Sequence, residues 1–301
     1  MAPYGFAFGR RICILGGVDE LRPELIERAV RNALAEDVGS GDVTTLSLVP
    51  PELKADASLN ARHPMVFCGS AFARSAFRQV SPELQVTQLV RDGESVTSGT
   101  RLMRVVGPAA AILTAERVAL NFIQRLSGVA TLTAQFVEAV RGTHARILDT
   151  RKTTPGWRLF EKYAVHCGGG QNHRMGLYDM VLIKDNHLAA LRSAPPNPIA
   201  AAIQRARARY PGLKIEVETD TLEQVDQALA AGAEIILLDN MELPQLRQAV
   251  EKCDGRALTE ASGGVSLNTV RAIAETGVDF VSVGALTHSA RAVDIGLDFE
   301  S

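Results

Sequence analysis

The chain has little cysteine, few aromatic residues and no long apolar run, and each shortage narrows what it can be. Its four cysteines (Cys13, Cys68, Cys167, Cys253) are widely spaced in 301 residues and form no C-x-x-C. That argues against a disulfide scaffold or a closed zinc site and for a reducing, cytoplasmic setting. Aromatics make up 5%, and alanine, leucine and valine dominate instead, a composition suited to helices packed on a parallel sheet. No apolar stretch approaches the ~18 residues of a membrane span. A formal charge of −2 excludes the broad basic face that binds nucleic acid. Walker A, G-x-G-x-x-G, G-x-S-x-G and H-E-x-x-H patterns are also missing, which weakens ATPase, dinucleotide-dependent, serine hydrolase and zinc protease readings. Near the N-terminus, Arg10 and Arg11 precede only four apolar residues, 12–15, before Gly16-Gly17, and Asp19 and Glu20 follow. This is too short for a secretory signal and reads as a flexible arm.

What is present is rhythmic. A helical pattern covers about 24–36, and Gly39-Ser40-Gly41-Asp42 ends it. Residues 53–107 carry short alternating runs at 55–59, 84–90 and 102–106 with one helical segment near 71–80, a small α+β domain. Asp92-Gly93 within it reads as a hairpin turn. A long helical region over 113–141 is interrupted on paper at Ser127-Gly128. Strand-like runs then recur at 146–148, 180–183, 215–217, 235–238, 257–259 and 280–283, with helical segments between several of them. Asp220 or Thr221 can cap the helix over 222–231. Repeated β-then-α units imply parallel strands with helical crossovers. Six such strands do not demonstrate a full eight-stranded barrel, and an open doubly wound sheet is the competing architecture.

The polar residues favour the barrel. Asp149 and Arg151, Lys184, Glu218, Asp239, Ser262 with Gly263, and Gly284 each follow one of the apolar runs. In a barrel the C-terminal strand ends converge on one mouth, where chemistry occurs. Across residues 148–187, six basic side chains (Arg151, Lys152, Arg158, Lys162, Arg174, Lys184) outnumber the acids, Glu161, Asp179 and Asp185 with Asp149 at the edge. Forked and point-charge donors beside Gly168-Gly169-Gly170 suit a small polyanion. Alternation in Glu216-Val217-Glu218 puts both acids on one strand face, and Glu218 and Asp239 end neighbouring strands. Two acids near a phosphate site suit Mg²⁺ or a developing sugar cation, with strand-end ion pairs as the plainer alternative. Ser262-Gly263-Gly264 and Gly284-Ala285 come late, where barrels bind phosphate. His173, between Asn172 and Arg174, is a candidate neutral hydrogen-bond partner.

Taken together, these motifs name a family. Asp149-Thr150-Arg151-Lys152-Thr153-Thr154-Pro155-Gly156, Glu161 to Val165, Gly168-Gly169-Gly170, Asn172-His173-Arg174 and Leu182 to His187 resemble the quinolinate phosphoribosyltransferases, also called carboxylating nicotinate-nucleotide pyrophosphorylases. Gly41 to Thr44, Glu116 to Asn121, Leu126 to Thr131, Leu238-Asp239-Asn240, Glu260 to Gly264 and Ser282 to His288 extend the likeness along all but about the first 20 residues. The resemblance implies an α/β fold: an incomplete seven-stranded α/β barrel with an N-terminal α/β sandwich domain. It implies the decarboxylating transfer of phosphoribose from 5-phosphoribosyl 1-diphosphate to quinolinate in NAD biosynthesis, by a homodimer or higher oligomer with a shared site. Arg151, His173, Arg174 and Lys184 are expected to bind quinolinate, with Arg117 entering from the partner subunit. Lys152, Glu218 and Asp239 are expected to be catalytic. Lys152, Ser262, Gly263, Gly264 and Gly284 should hold the phosphoribosyl group, and Glu218 and Asp239 the Mg²⁺, directly or through water or substrate. Trp157 and His166 depart from the family pattern beside the site.

The expected organisation is an arm over 1–20, a sandwich domain over 21–115, a barrel domain over 116–287, and a segment 288–301 that packs back on the sandwich. Rival functions are a relative in the molybdenum-transport-associated branch, a simple nicotinate phosphoribosyltransferase, and a non-catalytic anion-binding module. Lys152, Glu218 and Asp239 argue against the last, because binding an anion needs no acids beside it.

Overall fold

The structure, a computed structural model, describes residue 18 and residues 20–300. The expected arm therefore lies almost wholly outside the described residues, and so does Cys13. In chain order the elements begin α1 (Pro23–Val38), α2 (Val43–Leu48), β1 (Lys54–Ala61), β2 (Met65–Val66), α3 (Ser70–Val80), β3 (Gln85–Gln88), β4 (Ser95–Val96), β5 (Arg101–Pro108) and α4 (Ala109–Ala139). They continue β6 (Arg146–Leu148), α5 (Arg158–Cys167), β7 (Val181–Ile183), α6 (Asp185–Ala190), α7 (Pro198–Arg209), β8 (Ile215–Thr219), α8 (Leu222–Ala230) and β9 (Ile235–Asp239). The chain ends α9 (Leu243–Cys253), β10 (Leu258–Ser262), α10 (Val270–Ala274), β11 (Phe280–Ser282), α11 (Ala285–His288) and β12 (Ile295–Phe299).

β12, β1, β5 and β3 form a four-stranded antiparallel sheet in that order. Its outermost strand comes from the chain's end, Ala57 facing Phe299 and Ala61 facing Ile295. α1, α3 and α4 pack together, burying Ile26, Val30, Phe72, Ala73, Phe77 and Ile123. The second sheet is parallel and six-stranded, ordered β6-β11-β10-β9-β8-β7. Its strands are apolar because helices cover one face and the barrel core fills the other: four of the five residues of β9 are buried, and only Asp239 at its C-terminal end is not. Beyond β6 a parallel bridge joins Leu148 to Gln171. Among the described residues the barrel sheet thus has six strands and this one isolated bridge where seven staves were expected.

Local rules explain the ends. Thr221, not Asp220, caps α8, accepting from Gln224 N while Gln224 reaches back. Asn197 caps α7 ahead of Pro198. Two expectations need correction. α4 runs unbroken through Ser127-Gly128. Glycine is there for close approach, since a Cβ on Gly128 would lie 2.1 Å from the Arg291 carbonyl oxygen of the returning chain. Ser127 Oγ in turn binds the Cys68 backbone on both sides, at 2.9 and 3.1 Å. Second, Asp92-Gly93 is a turn but joins no hairpin, because β4 pairs with β2 rather than β3. Asp92 instead caps α3, accepting from Gly69 N at 2.8 Å and Ser70 N at 3.1 Å. The domain boundary drawn at 115/116 falls inside α4, which serves both sheets.

Candidate active site

The C-terminal ends of the parallel strands carry the polar residues, and the first layer beneath them is a scaffold. After β6 the buried Asp149 accepts from Lys162 Nζ, from Asn172 Nδ2 at 2.7 Å and from His173 N at 2.8 Å. Lys162 also donates to the His173 carbonyl at 2.9 Å. Both side chains are fully buried. Burial pushes the Asp149 carboxyl up and the Lys162 ammonium down, and their mutual attraction opposes both shifts. Lys162, counted among the pocket cations from the sequence, is thus a strut that sets the Asn172-His173-Arg174 segment. Glu161, one residue away and fully buried, is met by Thr154 N at 2.9 Å, Thr154 Oγ1 at 2.8 Å and Arg125 Nη2 at 2.6 Å, which fixes the 151–156 loop. Arg158 holds that loop too, through Thr153 Oγ1 at 3.1 Å and the Met175 carbonyl at 3.1 Å.

On this scaffold lies a cationic layer over an acidic floor. Arg174 is buried and donates to the Met180 carbonyl at 3.3 Å. Burial, with Arg151 beside it, weakens its hold on its proton, while Glu216 and Asp179 strengthen it. Arg151 Nε is buried without a hydrogen-bond partner, an orphan donor of the kind an anionic ligand would satisfy. His173 Nδ1 accepts from Arg174 N at 2.7 Å. Its Nε2 lies 3.1 Å from Glu216 Oε2 and 3.5 Å from Glu260 Oε2. These are ion-pair distances, yet no aligned hydrogen bond reaches either Glu216 oxygen or Glu260 Oε1. Burial first of all raises Glu216 to about 7, with Glu218 adding to the rise and Arg174 and Lys184 opposing it. Burial and the Glu216 charge raise Glu260 to about 8, against His173 and Ser282. These two acids come from β8 and β10 and meet because inward side chains of alternate barrel strands share a layer.

At the rim, Lys184 Nζ donates to Glu218 Oε2. Asp239 accepts from Asn240 Nδ2 at 2.7 Å and pairs in register with Ser262. The Ser262-Gly263-Gly264 turn requires glycine: Gly263 has φ +95° and a Cβ there would strike Asn240 Oδ1 at 2.1 Å. Gly284 opens the last turn, where a Cβ would lie 3.0 Å from Lys152 Cδ. Lys152 therefore stretches across Gly284, its own carbonyl held by Thr287 Oγ1 at 2.7 Å. Two carboxylates at adjacent strand ends form a donor set that fits a hard divalent cation completed by substrate oxygens.

The structure thus gathers Arg151, His173, Arg174 and Lys184 on one side and Lys152, Ser262, Gly263, Gly264 and Gly284 on the other, with Glu218 and Asp239 at the strand ends between. Arg117 is not brought to this cluster within one chain. It is exposed near the start of α4, with Glu116 as its described electrostatic neighbour. Sequence reasoning gave Glu260 no role, because only the register across three strands brings it to Glu216. Trp157 flanks the site without facing it: it stacks on Phe122 at 5.0 Å and meets Phe160 edge-on at 6.0 Å. A cavity of about 690 Å³ between α1 and α3 lies elsewhere. Its arginines (Arg31, Arg74, Arg78) are matched by Glu20, Glu27 and Asp92, so it lacks the excess of cations found at the mouth.

A barrel mouth with a cationic half, a glycine-lined half and paired rim acids defines an α/β enzyme that brings together two anionic reactants, one a phosphorylated sugar. Comparison with known proteins gives the family. Residues 42–127 match the quinolinate phosphoribosyl transferase N-terminal domain and residues 129–298 the C-terminal domain, and the chain belongs to this family. It is 47% identical over 275 residues to the nicotinate-nucleotide pyrophosphorylase [carboxylating] of Mycobacterium leprae, covering 89% of this chain and 95% of that one. It is 43% identical over 292 residues to the chloroplastic protein of that name from Arabidopsis thaliana, covering 92% and 83%. The solved nicotinate-nucleotide pyrophosphorylase of Francisella tularensis superposes with a TM-score of 0.90 at 40% identity, covering 95% of this chain and 99% of that one. Human nicotinic acid phosphoribosyltransferase, with a TM-score of 0.59 at 13% identity, shares the fold alone.

Proposed function

We propose that this chain transfers the phosphoribosyl group of 5-phosphoribosyl 1-diphosphate to quinolinate, releasing nicotinate mononucleotide, diphosphate and CO₂. The observation that carries this is the divided mouth. Two guanidinium groups with an orphaned buried donor suit a dicarboxylate, and a glycine turn with Lys152 suits a sugar phosphate. Two anions brought together repel, and fixed cations remove that penalty without reorganising. The pyridine nitrogen attacks the anomeric carbon as the bond to diphosphate breaks. The carboxylate next to the quaternised nitrogen then leaves as CO₂. Its bonding pair stays on the ring carbon, is stabilised by the adjacent positive nitrogen, and takes up a proton.

Arg151, Arg174 and Lys184 are assigned to the quinolinate carboxylates and Lys152, Ser262, Gly263, Gly264 and Gly284 to the phosphoribosyl side. Both ring nitrogens of His173 face protein groups, so His173 acts by orienting Arg174. Glu218 and Asp239 would hold Mg²⁺, which when bound neutralises charge on the departing diphosphate. A homodimer in which Arg117 reaches the neighbour's mouth is supported by apolar surface on both sides of such a contact. Val43, Leu46 and Leu48 of the sandwich domain and Leu177 and Tyr178 beside the mouth are 73–77% exposed. A cytoplasmic setting agrees with the cysteine usage, and among the described residues no helix is long and apolar enough to cross a membrane.

The test is CO₂ release from carboxyl-labelled quinolinate. Release that requires both the phosphoribosyl donor and Mg²⁺ supports the reading. Turnover of nicotinate without CO₂ release, or tight anion binding without turnover, refutes it. Mixing Arg117→Ala with Lys184→Ala subunits should restore part of the activity if the site is shared. No recovery after verified subunit exchange refutes the shared site.

A further inference from the structure

Away from the mouth, the seam between the two domains holds a second cluster of reactive groups. Cys68 Sγ, Cys167 Sγ and an Asp92 carboxylate oxygen lie within 4.8 Å of one another. Both thiols are free. Cys68 belongs to the sandwich, in the link between β2 and α3, and its backbone is clamped to α4 by Ser127. Cys167 is the last residue of α5 on the barrel side. The 92–93 turn presses on it, since a Cβ on Gly93 would lie 3.2 Å from the Cys167 carbonyl oxygen. We propose that Cys68 and Cys167 are a reversible disulfide pair that, oxidised by a peroxide, staples the sandwich domain to the end of α5.

Geometry separates this from a metal site. Asp92 already accepts from Gly69 N, Ser70 N and Tyr163 OH at 2.8–3.1 Å, so its oxygens face donors. The sulfurs, within 4.8 Å of each other, must still move together to reach the ~2.05 Å of an S–S bond. Exposure orders the steps. Cys167 is partly exposed and Cys68 fully buried. Burial, reinforced by Cys167 and Asp92, pushes the Cys68 thiol well up; shut away from peroxide by that burial, Cys68 is the sulfur left to resolve the oxidised Cys167. Cys167 sulfur attacks a peroxide oxygen, breaking the O–O bond and giving a sulfenic acid and water. Cys68 sulfur then attacks Cys167 sulfur, the S–O bond breaks, and the oxygen leaves as water with the Cys68 proton. The two thiols lose two hydrogens, and hydrogen peroxide becomes two waters.

The staple closes a loop of about 100 residues, which restricts the unfolded chain strongly. The experiment treats the native full-length protein with hydrogen peroxide, blocks remaining thiols, and maps linked peptides by non-reducing mass spectrometry. Expected is one linkage, Cys68 to Cys167, reversed by dithiothreitol. It should raise the thermal midpoint by on the order of 5 °C, and this rise should be absent in Cys68→Ser and in Cys167→Ser. A linkage through Cys13 or Cys253 instead overturns the proposal. So does sulfinic Cys167 without linkage, or no oxidation at a dose that oxidises the urea-unfolded chain. Stoichiometric zinc that co-purifies and shields both thiols overturns it as well. The wild-type measurement decides the matter even if a serine variant folds poorly.

Discussion

Replacing Lys162 by Met tests the claim that the site stands on a buried ion pair. Lys162 and Asp149 are both fully buried, and the lysine also satisfies the His173 carbonyl at 2.9 Å. Methionine keeps most of the volume and removes the charge. Asp149 then retains two donors, Asn172 Nδ2 at 2.7 Å and His173 N at 2.8 Å, but loses its counter-ion. Breaking a buried pair costs about 3–5 kcal/mol, and the two surviving hydrogen bonds favour the lower end. For a chain of this size that is a fall in thermal midpoint of on the order of 5–10 °C. The pH dependence follows from the same charge. Burial already raises Asp149, and without Lys162 its folded pKa rises further above the unfolded value. A group so raised favours the fold at low pH and loses that contribution as pH climbs through the folded pKa. The deficit should therefore be smaller at pH 5.5 than at pH 8 in urea unfolding, and Asp149→Asn added to Lys162→Met should recover part of it at pH 8. Catalytic efficiency toward quinolinate should fall about 100-fold, because displaced positioning groups cost that much. A midpoint within 2 °C of wild type, or a deficit that grows as pH falls, would show that the pair carries no such burden.

Three further outcomes are expected. Arg174→Lys loses forked donation at a buried site and should reduce kcat/KM for quinolinate by about 100-fold or more, with the KM for the phosphoribosyl donor moving less, as initial-rate kinetics would show. Gly263→Ala places a Cβ on Asn240 and demands a left-handed backbone; it should weaken donor binding selectively, with about 1–3 kcal/mol of strain in the turn, measurable by calorimetric titration of the donor. Glu260, held up to about 8, favours the fold below its unfolded pKa near 4.3 and withdraws that contribution as pH rises through 8; Glu260→Gln should flatten the stability–pH curve between those limits, and an unchanged slope would refute the assignment.

The barrel's strands were legible because each is a short apolar run followed by a polar residue, and a buried parallel strand has no other way to end at a working mouth. The helix over 158–167 was not legible, because its glycine- and charge-rich flanks look like loop until Glu161 and Lys162 are known to be buried beneath it. Lys162 shows the limit most clearly. Beside Arg158 in the sequence it looks like another cation of the anion pocket, and only the return of residues 171–174 past Asp149 makes it a strut. Gly128 was misread as a break for a related reason. The Arg291 carbonyl that demands a glycine comes from the far end of the chain, and local helical propensity carries no trace of it. Glu218 and Asp239 were legible as neighbours because they end consecutive strands; Glu216 and Glu260 were not, because β9 lies between them.

The buried acids also explain how the cationic layer can exist before substrate arrives. Arg151 and Arg174 sit close enough to oppose each other's charge, and burial denies them much of water's screening. Left alone, such a pair would splay toward solvent, and each would then pay to reorganise when the dianion bound. Above pH 7, where the raised Glu216 carboxyl ionises, it supplies Arg174 with a counter-charge that does not occupy the ligand's place. The rim uses a different solution. Lys184 there is paired with Glu218, which links the quinolinate half of the mouth to its sugar half. Under the proposed roles, a substrate carboxylate that drew Lys184 toward itself would loosen Glu218 and leave it open to the donor side of the mouth. Acceptor binding and readiness of the donor site would then be joined through one ion pair, so Lys184→Met should diminish binding of both substrates while Arg174→Lys acts mainly on one. Equal and confined effects of the two variants on quinolinate alone, in parallel titrations, would show that the two halves of the mouth work independently.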